Sequence, residues 1–220
     1  MVSRKPLVDT LQGLPNADFL AGGGEMGELI RNYDWAGTPL GPPGTWSQAL
    51  RTAMRILLTT HHPSCIFWGP ELICFYNDAY RRSLGPERHP VMLGARLRAL
   101  WSETWSIMGP QIERVMSGAG ATWQEDHLVL VPRFGKREEI YWTYSFSPID
   151  DGGAANDVGG VMVLALETTK KVRAERQLAF QLALSDRLRS LSDAAQIMIT
   201  AAEMLGTQLG AGRVGYAEID

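Results

Sequence analysis

Between Ser64 and Tyr80 the chain carries two short apolar and aromatic runs, Cys65-Ile66-Phe67-Trp68 and Leu72-Ile73-Cys74-Phe75-Tyr76. Gly69-Pro70-Glu71 separates them, and Asn77-Asp78-Ala79-Tyr80 follows at once. Apolar runs of this length around a Gly-Pro turn predict a β-hairpin. The second strand must then feed a helix, because Asn77 or Asp78 can offer a side-chain oxygen to N–H groups of the first turn that have no helical partner. A hairpin leading straight into a capped helix places a sheet at the centre of the fold.

The segments around it follow in order. Residues 1–24 end in Gly22-Gly23-Gly24 and read as a flexible tail, and 25–62 read as a helical extension. There Met26, Leu29, Ile30 and Tyr33 keep helical spacing from Glu25 to Trp35, until Thr38-Pro39-Leu40-Gly41-Pro42-Pro43-Gly44 breaks the helix. A second helix is expected after a Thr45 cap with Gln48 as its capping-box partner, its Leu50, Met54, Leu57 and Leu58 face running to Thr60. Beyond the hairpin come a short helix over Asn77–Leu84, further short turns to Trp101, and a longer helix over Glu103–Ser117 that Gly109-Pro110 should kink or split. Trp123–Val131 predicts a strand, Arg133–Arg137 a turn, and the alternation of Ile140, Trp142, Tyr144 and Phe146 a second strand. Val158–Glu167 is nearly continuous in apolar residues, as in a strand buried on both faces.

Strand, strand, short helices, longer helix and three strands is the layout of a PAS domain. The combination Gly-Gly-Glu-Met-Gly, Pro-Leu-Gly-Pro-Pro, Trp-Gly-Pro-Glu-Leu and Tyr-Asn-Asp-Ala-Tyr resembles a PAS subgroup of bacterial sensor histidine kinases and related multidomain signalling proteins. The resemblance covers roughly residues 45–170. It implies an α+β PAS fold, a five-stranded antiparallel sheet with short helices on one face, the domain proper spanning 63–169. It also implies a sensory module without catalysis of its own, passing a signal to an output such as a histidine kinase of a two-component system. Glu167-Thr168-Thr169 resembles the acidic-x-Thr junction of such domains, with Glu in place of the usual Asp, and reads equally as an N-cap.

After this junction Leu184, Leu188, Leu191, Ala195, Met198, Ala202, Leu205 and Leu209 alternate steps of four and three, a heptad seam expected to join a homodimer. Residues 170–209 thus read as one signalling helix, with a register break at Lys170–Ala183 as candidate transmission segment; a helix docked on its own sheet is the competing reading. Residues 210–220 resemble the start of a GAF domain, which would place the output beyond the chain.

A net charge of −3 with both signs interspersed offers no basic field for nucleic acid or anionic lipid. No apolar run reaches the ~18–20 residues of a membrane span, and Met1–Pro6 leads into no signal-peptide core. A cytoplasmic chain is expected, with Cys65 and Cys74 reduced and buried. The four histidines supply neither a catalytic set nor a metal set. His61 and His62 suit a helix end, and His127 a solvent-facing strand position.

A ligand, if bound, belongs between sheet and helices. Its candidate lining is Phe67, Phe75, Asn77, Tyr80, Trp101, Trp105, Met108, Met116, Trp123, Trp142, Tyr144 and Phe146, with packed core as the alternative. The resemblance disfavours haem, whose usual His is missing from Glu103–Ser117, and an adduct-forming flavin, whose Cys is missing from Gly94–Leu100. Flavin held without an adduct needs only an aromatic cavity and a few polar groups. A ligand-free dimerisation spacer is the reading from a different functional class.

Overall fold

The computed structural model describes residues 19–102, 104–133, 135–212 and 214–215. Two helices, α1 (Gly24–Asn32) and α2 (Gln48–Thr59), precede the hairpin β1 (Ser64–Trp68) and β2 (Ile73–Tyr76). Three helices follow, α3 (Asp78–Arg81), α4 (Leu97–Leu100) and α5 (Trp105–Met116), then strands β3 (Thr122–Arg133), β4 (Lys136–Asp150) and β5 (Val158–Glu167). The five strands form one antiparallel sheet in the order β2-β1-β5-β4-β3. This is the α+β PAS layout expected above. The chain divides into one compact unit ending at Glu167 and a second beginning at Thr168.

The Asn77-Asp78 pair organises the first unit. Asn77 is 3% exposed and uses its whole amide: its Oδ1 accepts from Tyr80 N (2.9 Å) and Ser64 N (3.1 Å), and its Nδ2 donates to His62 O (2.8 Å) and Thr60 O (3.2 Å). One side chain therefore caps α3 and ties down the turn between α2 and β1. Asp78 faces the opposite way. Its carboxylate accepts from Met26 N (2.8 Å) and Glu25 N (3.2 Å), so it caps α1, whose own N-cap Gly23 offers no side chain. Gly24, at φ +59°, is required there: a Cβ would land on Asp78 Oδ2.

Each face of the sheet has its own cover. The register places Ile66, Trp68, Ile73 and Phe75 on an outer face. Trp35 stacks on Phe75 with centroids 4.8 Å apart, and Trp46 meets it edge-on at 5.6 Å. Both indoles are satisfied, Trp35 Nε1 by Ile30 O and Trp46 Nε1 by Gly41 O. Met26, Ile30, Leu50, Met54 and Leu57 complete this layer, all essentially inaccessible. The inner face, with Cys65, Phe67, Cys74 and Tyr76, looks toward α3–α5.

Several expectations are corrected. Residues 19–24 are not a tail: Leu20 is buried, Arg31 donates to the carbonyls of Leu20 and Gly22, and Arg55 donates to that of Ala21. Residues 1–18 lie outside the described residues. Helix α1 stops at Asn32 and Trp35 opens a separate 3-10 turn. Ser47 rather than Thr45 caps α2, accepting from Leu50 N, because the Thr45 hydroxyl is engaged with Pro42 O. Helix α3 ends at Arg81. Helix α5 runs unbroken through Pro110. Strand β5 is buried on both faces only in its first half; Leu164 and Leu166 are about half exposed, at 47% and 55%.

The single C-terminal helix is two, α6 (Thr169–Arg189) and α7 (Ala194–Leu209), which pack against each other. The cause is local. Arg187 and Arg189 close α6 with positive charge at its C-terminus, and Asp193 Oδ2 accepts from Gln196 N to start α7 (3.0 Å). Asp193-x-x-Gln196 is an N-cap signature that the seam pattern concealed. Leu191 consequently lies in the link, and the seam is divided between two helices. The predicted GAF-like strand falls largely outside the described residues, with 216–220.

Candidate functional site

On the inner face lies a cavity of about 60 Å³, walled by the sheet on one side and by α3–α5 and their connections on the other. At roughly 10–15 Å³ per water-sized sphere it has room for several waters. The sheet contributes Phe67 from β1, Val129 and Val131 from β3, Trp142, Tyr144 and Phe146 from β4, and Val163 and Ala165 from β5. The helical side contributes Tyr80, Ser83, Leu84, Gly85, Arg88, Trp101 and Met108.

The β3 side of this wall depends on a bulge. Gln124 pairs with Tyr144 but His127 pairs with Trp142, so two residues of β3 oppose Thr143 alone. Asp126, at φ +46°, takes up the extra length, its N–H donating to Thr143 Oγ1 (3.1 Å). The slip turns His127, Val129 and Val131 inward, whereas Trp123 before it shares the outer face with Ser145 and Leu164.

Polar groups in the wall are few. The Tyr144 hydroxyl accepts from Gln111 Nε2 (3.1 Å) and lies 2.9 Å from His127 Nδ1, so His127 is an inward-facing partner of the cavity wall rather than a solvent-facing residue. The Tyr80 phenol and the Cys65 thiol interact within the wall. Burial pushes the Tyr80 phenol and the Cys65 and Cys74 thiols well above their ordinary values, so all three are neutral. The guanidinium of Arg88, a residue only 9% exposed, lies 3.7 Å over the Trp101 ring and donates to Leu100 O. Trp101 is 7% exposed, and its Nε1–H has no acceptor among the described residues.

Of the sequence candidates, Phe67, Tyr80, Trp101, Met108, Trp142, Tyr144 and Phe146 come together here. The others are elsewhere. Phe75 is on the outer face under Trp35. Asn77 is spent on its four hydrogen bonds. Trp105 lies beneath Arg98, whose guanidinium is 4.8 Å from its ring, and with Met116 borders a separate surface groove. Trp123 is 62% exposed. Val129, Val131, Arg88 and the Ser83–Gly85 turn escaped the sequence reading, which looked for aromatic and sulfur side chains. At the junction, Glu167 ends β5 and Thr168 and Thr169 are buried; Thr168 stands at the N-cap position of α6 but makes no side-chain cap hydrogen bond. On the seam, Leu184 and Leu188 are half-buried, Met198, Leu205 and Leu209 exposed.

Among the described residues no group of His, Cys, Asp and Glu could hold a metal ion, and no helix is long and apolar enough to cross a membrane.

No family profile and no curated protein matches the chain. Solved structures do resemble it. An RNA-binding light-oxygen-voltage receptor aligns at 20% identity and a TM-score of 0.43, over 70% of this chain; the chain spans 43% of that protein. A sensory box sensor histidine kinase from Vibrio cholerae aligns at 15% identity and a TM-score of 0.37, over 54% of this chain and 89% of its own. The phage VqmA-DPO complex aligns at 16% identity and a TM-score of 0.41, over 73% of this chain and 72% of its own. The PAS-type fold itself is fixed by strand order and register.

Proposed function

We propose that this chain is a sensory PAS module that takes a compact small molecule into the inner-face cavity and passes its occupancy along the chain to α6 and α7. The observation that carries this reading is the cavity, apolar in most of its wall and supplied with a few fixed polar groups, which is the composition of a ligand site. Connectivity supplies the route. Val163 and Ala165 line the cavity, and the same strand ends at Glu167, directly before Thr168-Thr169 and the start of α6. For a ligand to signal it must favour one arrangement of that helix over another, since equal affinity shifts nothing.

In this reading the output is a downstream domain, such as a GAF domain followed by a histidine kinase, and the module works as a cytoplasmic homodimer. The exposed apolar residues Leu178, Leu182, Met198, Leu205 and Leu209 are the proposed contacts. The cavity suits a compact ligand better than haem or a three-ring flavin. Mass spectrometry of the denatured protein, with a thermal-shift screen of metabolites, tests the ligand: no co-purifying compound and no shift with any would leave only a dimerisation spacer. Light scattering of Met198→Asp/Leu205→Asp tests the dimer, which this pair of changes should dissociate.

A further inference from the structure

Resting on that reading of the cavity, we propose that its ligand is a small apolar carboxylate whose headgroup is received by Trp101 and Arg88. Trp101 is one of the residues lining the cavity, and its buried indole N–H has no acceptor among the described residues, the residue being 7% exposed. Burying such a donor unmade costs on the order of 1–3 kcal/mol, which an incoming acceptor recovers. Arg88, in the same wall and 9% exposed, is stacked 3.7 Å over that indole. Its cationic head is thereby held against the ring that carries the N–H. A carboxylate is the group that answers both, one oxygen accepting from Trp101 Nε1 and the other facing the guanidinium, in charge-assisted hydrogen bonds stronger than neutral ones.

The remaining wall defines the rest of the molecule. Phe67, Val129, Phe146 and Val163 offer only hydrocarbon, so the ligand's body is an aliphatic or aromatic group. With room for about four to six water-sized spheres, roughly 120–180 Å³ of liquid-water volume, the cavity limits that body to a single ring or a short chain. A cationic ligand of the same shape is rejected, because it would bring an ammonium beside Arg88 where little water screens them.

The test uses three probes of one shape: phenylacetate, 2-phenylethylamine and toluene, titrated by calorimetry into the whole chain and into Trp101→Phe, which keeps the ring under Arg88 and removes only the N–H. Phenylacetate should bind at least about tenfold more tightly than the amine or toluene, and the substitution should weaken phenylacetate about tenfold while leaving toluene unchanged. Equal binding of all three probes, or a phenylacetate affinity indifferent to Trp101→Phe with the fold intact by circular dichroism, would overturn the carboxylate assignment and leave the cavity as a site. If none of the three binds, the cavity reading falls as well.

Discussion

Asp78 is predicted to hold the amino-terminal layer on the sheet from more than fifty residues away in sequence. Its carboxylate takes the N–H groups of Met26 at 2.8 Å and Glu25 at 3.2 Å, two of the donors that α1 cannot satisfy by itself. Loss of an N-cap costs ~0.5–2 kcal/mol, and the negative charge at the positive helix end adds ~0.3–1 kcal/mol. Asp78 is half-buried and the Glu25 bond faces solvent, so Asp78→Ala should cost about 2 kcal/mol. For a unit of this size that lowers the melting temperature by roughly 4–8 °C. The neighbouring Arg81–Glu25 pair, 2.6 Å apart but 34% and 49% exposed, contributes too little to replace it. Asp78→Asn keeps an acceptor and loses the charge, so about half the loss is expected. Urea unfolding followed by tryptophan fluorescence measures these values, and amide exchange at Glu25 and Met26 localises them. A loss below about 0.5 kcal/mol in Asp78→Ala, with exchange at those two amides unchanged, would show that α1 is held by Met26 and Ile30 packing alone.

Three further outcomes are expected. Asn77→Ala removes four hydrogen bonds at a site 3% exposed, leaving buried N–H and C=O groups unmade; a loss of about 3 kcal/mol or more is expected by chemical denaturation, and one under about 1 kcal/mol would mean that water replaces the amide. Burial raises the Tyr76 phenol and the Cys65 and Cys74 thiols, so these groups favour the folded state while protonated. That contribution is complete below the unfolded-state values of ~8.5 for Cys and ~10 for Tyr and is lost as pH rises above them, by up to about 1.4 kcal/mol per pH unit and group; urea midpoints should fall from about pH 8.5 upward, and a flat profile to pH 11 would contradict the burial. Asp193→Ala removes the cap on Gln196 N and should cost α7 about 1 kcal/mol, read as lost helical circular dichroism in a peptide of residues 190–212; unchanged helicity would place the helix break elsewhere.

The sequence made the order of elements readable because each strand and helix announced itself within a few residues: the hairpin around Gly69-Pro70, the Asn77 cap, the alternation along β4. The faces were harder. Phe75 and Phe67 look equivalent in sequence, yet the antiparallel register pairs Phe67 with Cys74 and Phe75 with Ile66, sending them to opposite faces. Only long-range packing of Trp35 and Trp46 distinguishes the two. Similarly, strict alternation from Trp123 would carry His127 and Val129 to the same face as the indole. One residue of extra length at Asp126 inverts the strand from there on, and nothing short of the partner strand reveals it. The bulge therefore does more than bend β3: it puts Trp123 and Val129, which strict alternation would place on one face, on opposite faces of the strand, the indole outward and the valine in the cavity wall. A deletion of Asp126 would let Glu125 alone oppose Thr143 in a regular ladder, while His127, Val129 and Val131 keep their partners Trp142, Ile140 and Glu138 and their inward face. The deletion should therefore keep both the cavity lining and the strand order; a cavity lost in that variant would show that the local bend at the bulge, and not the facing of the residues after it, shapes the β3 side of the wall.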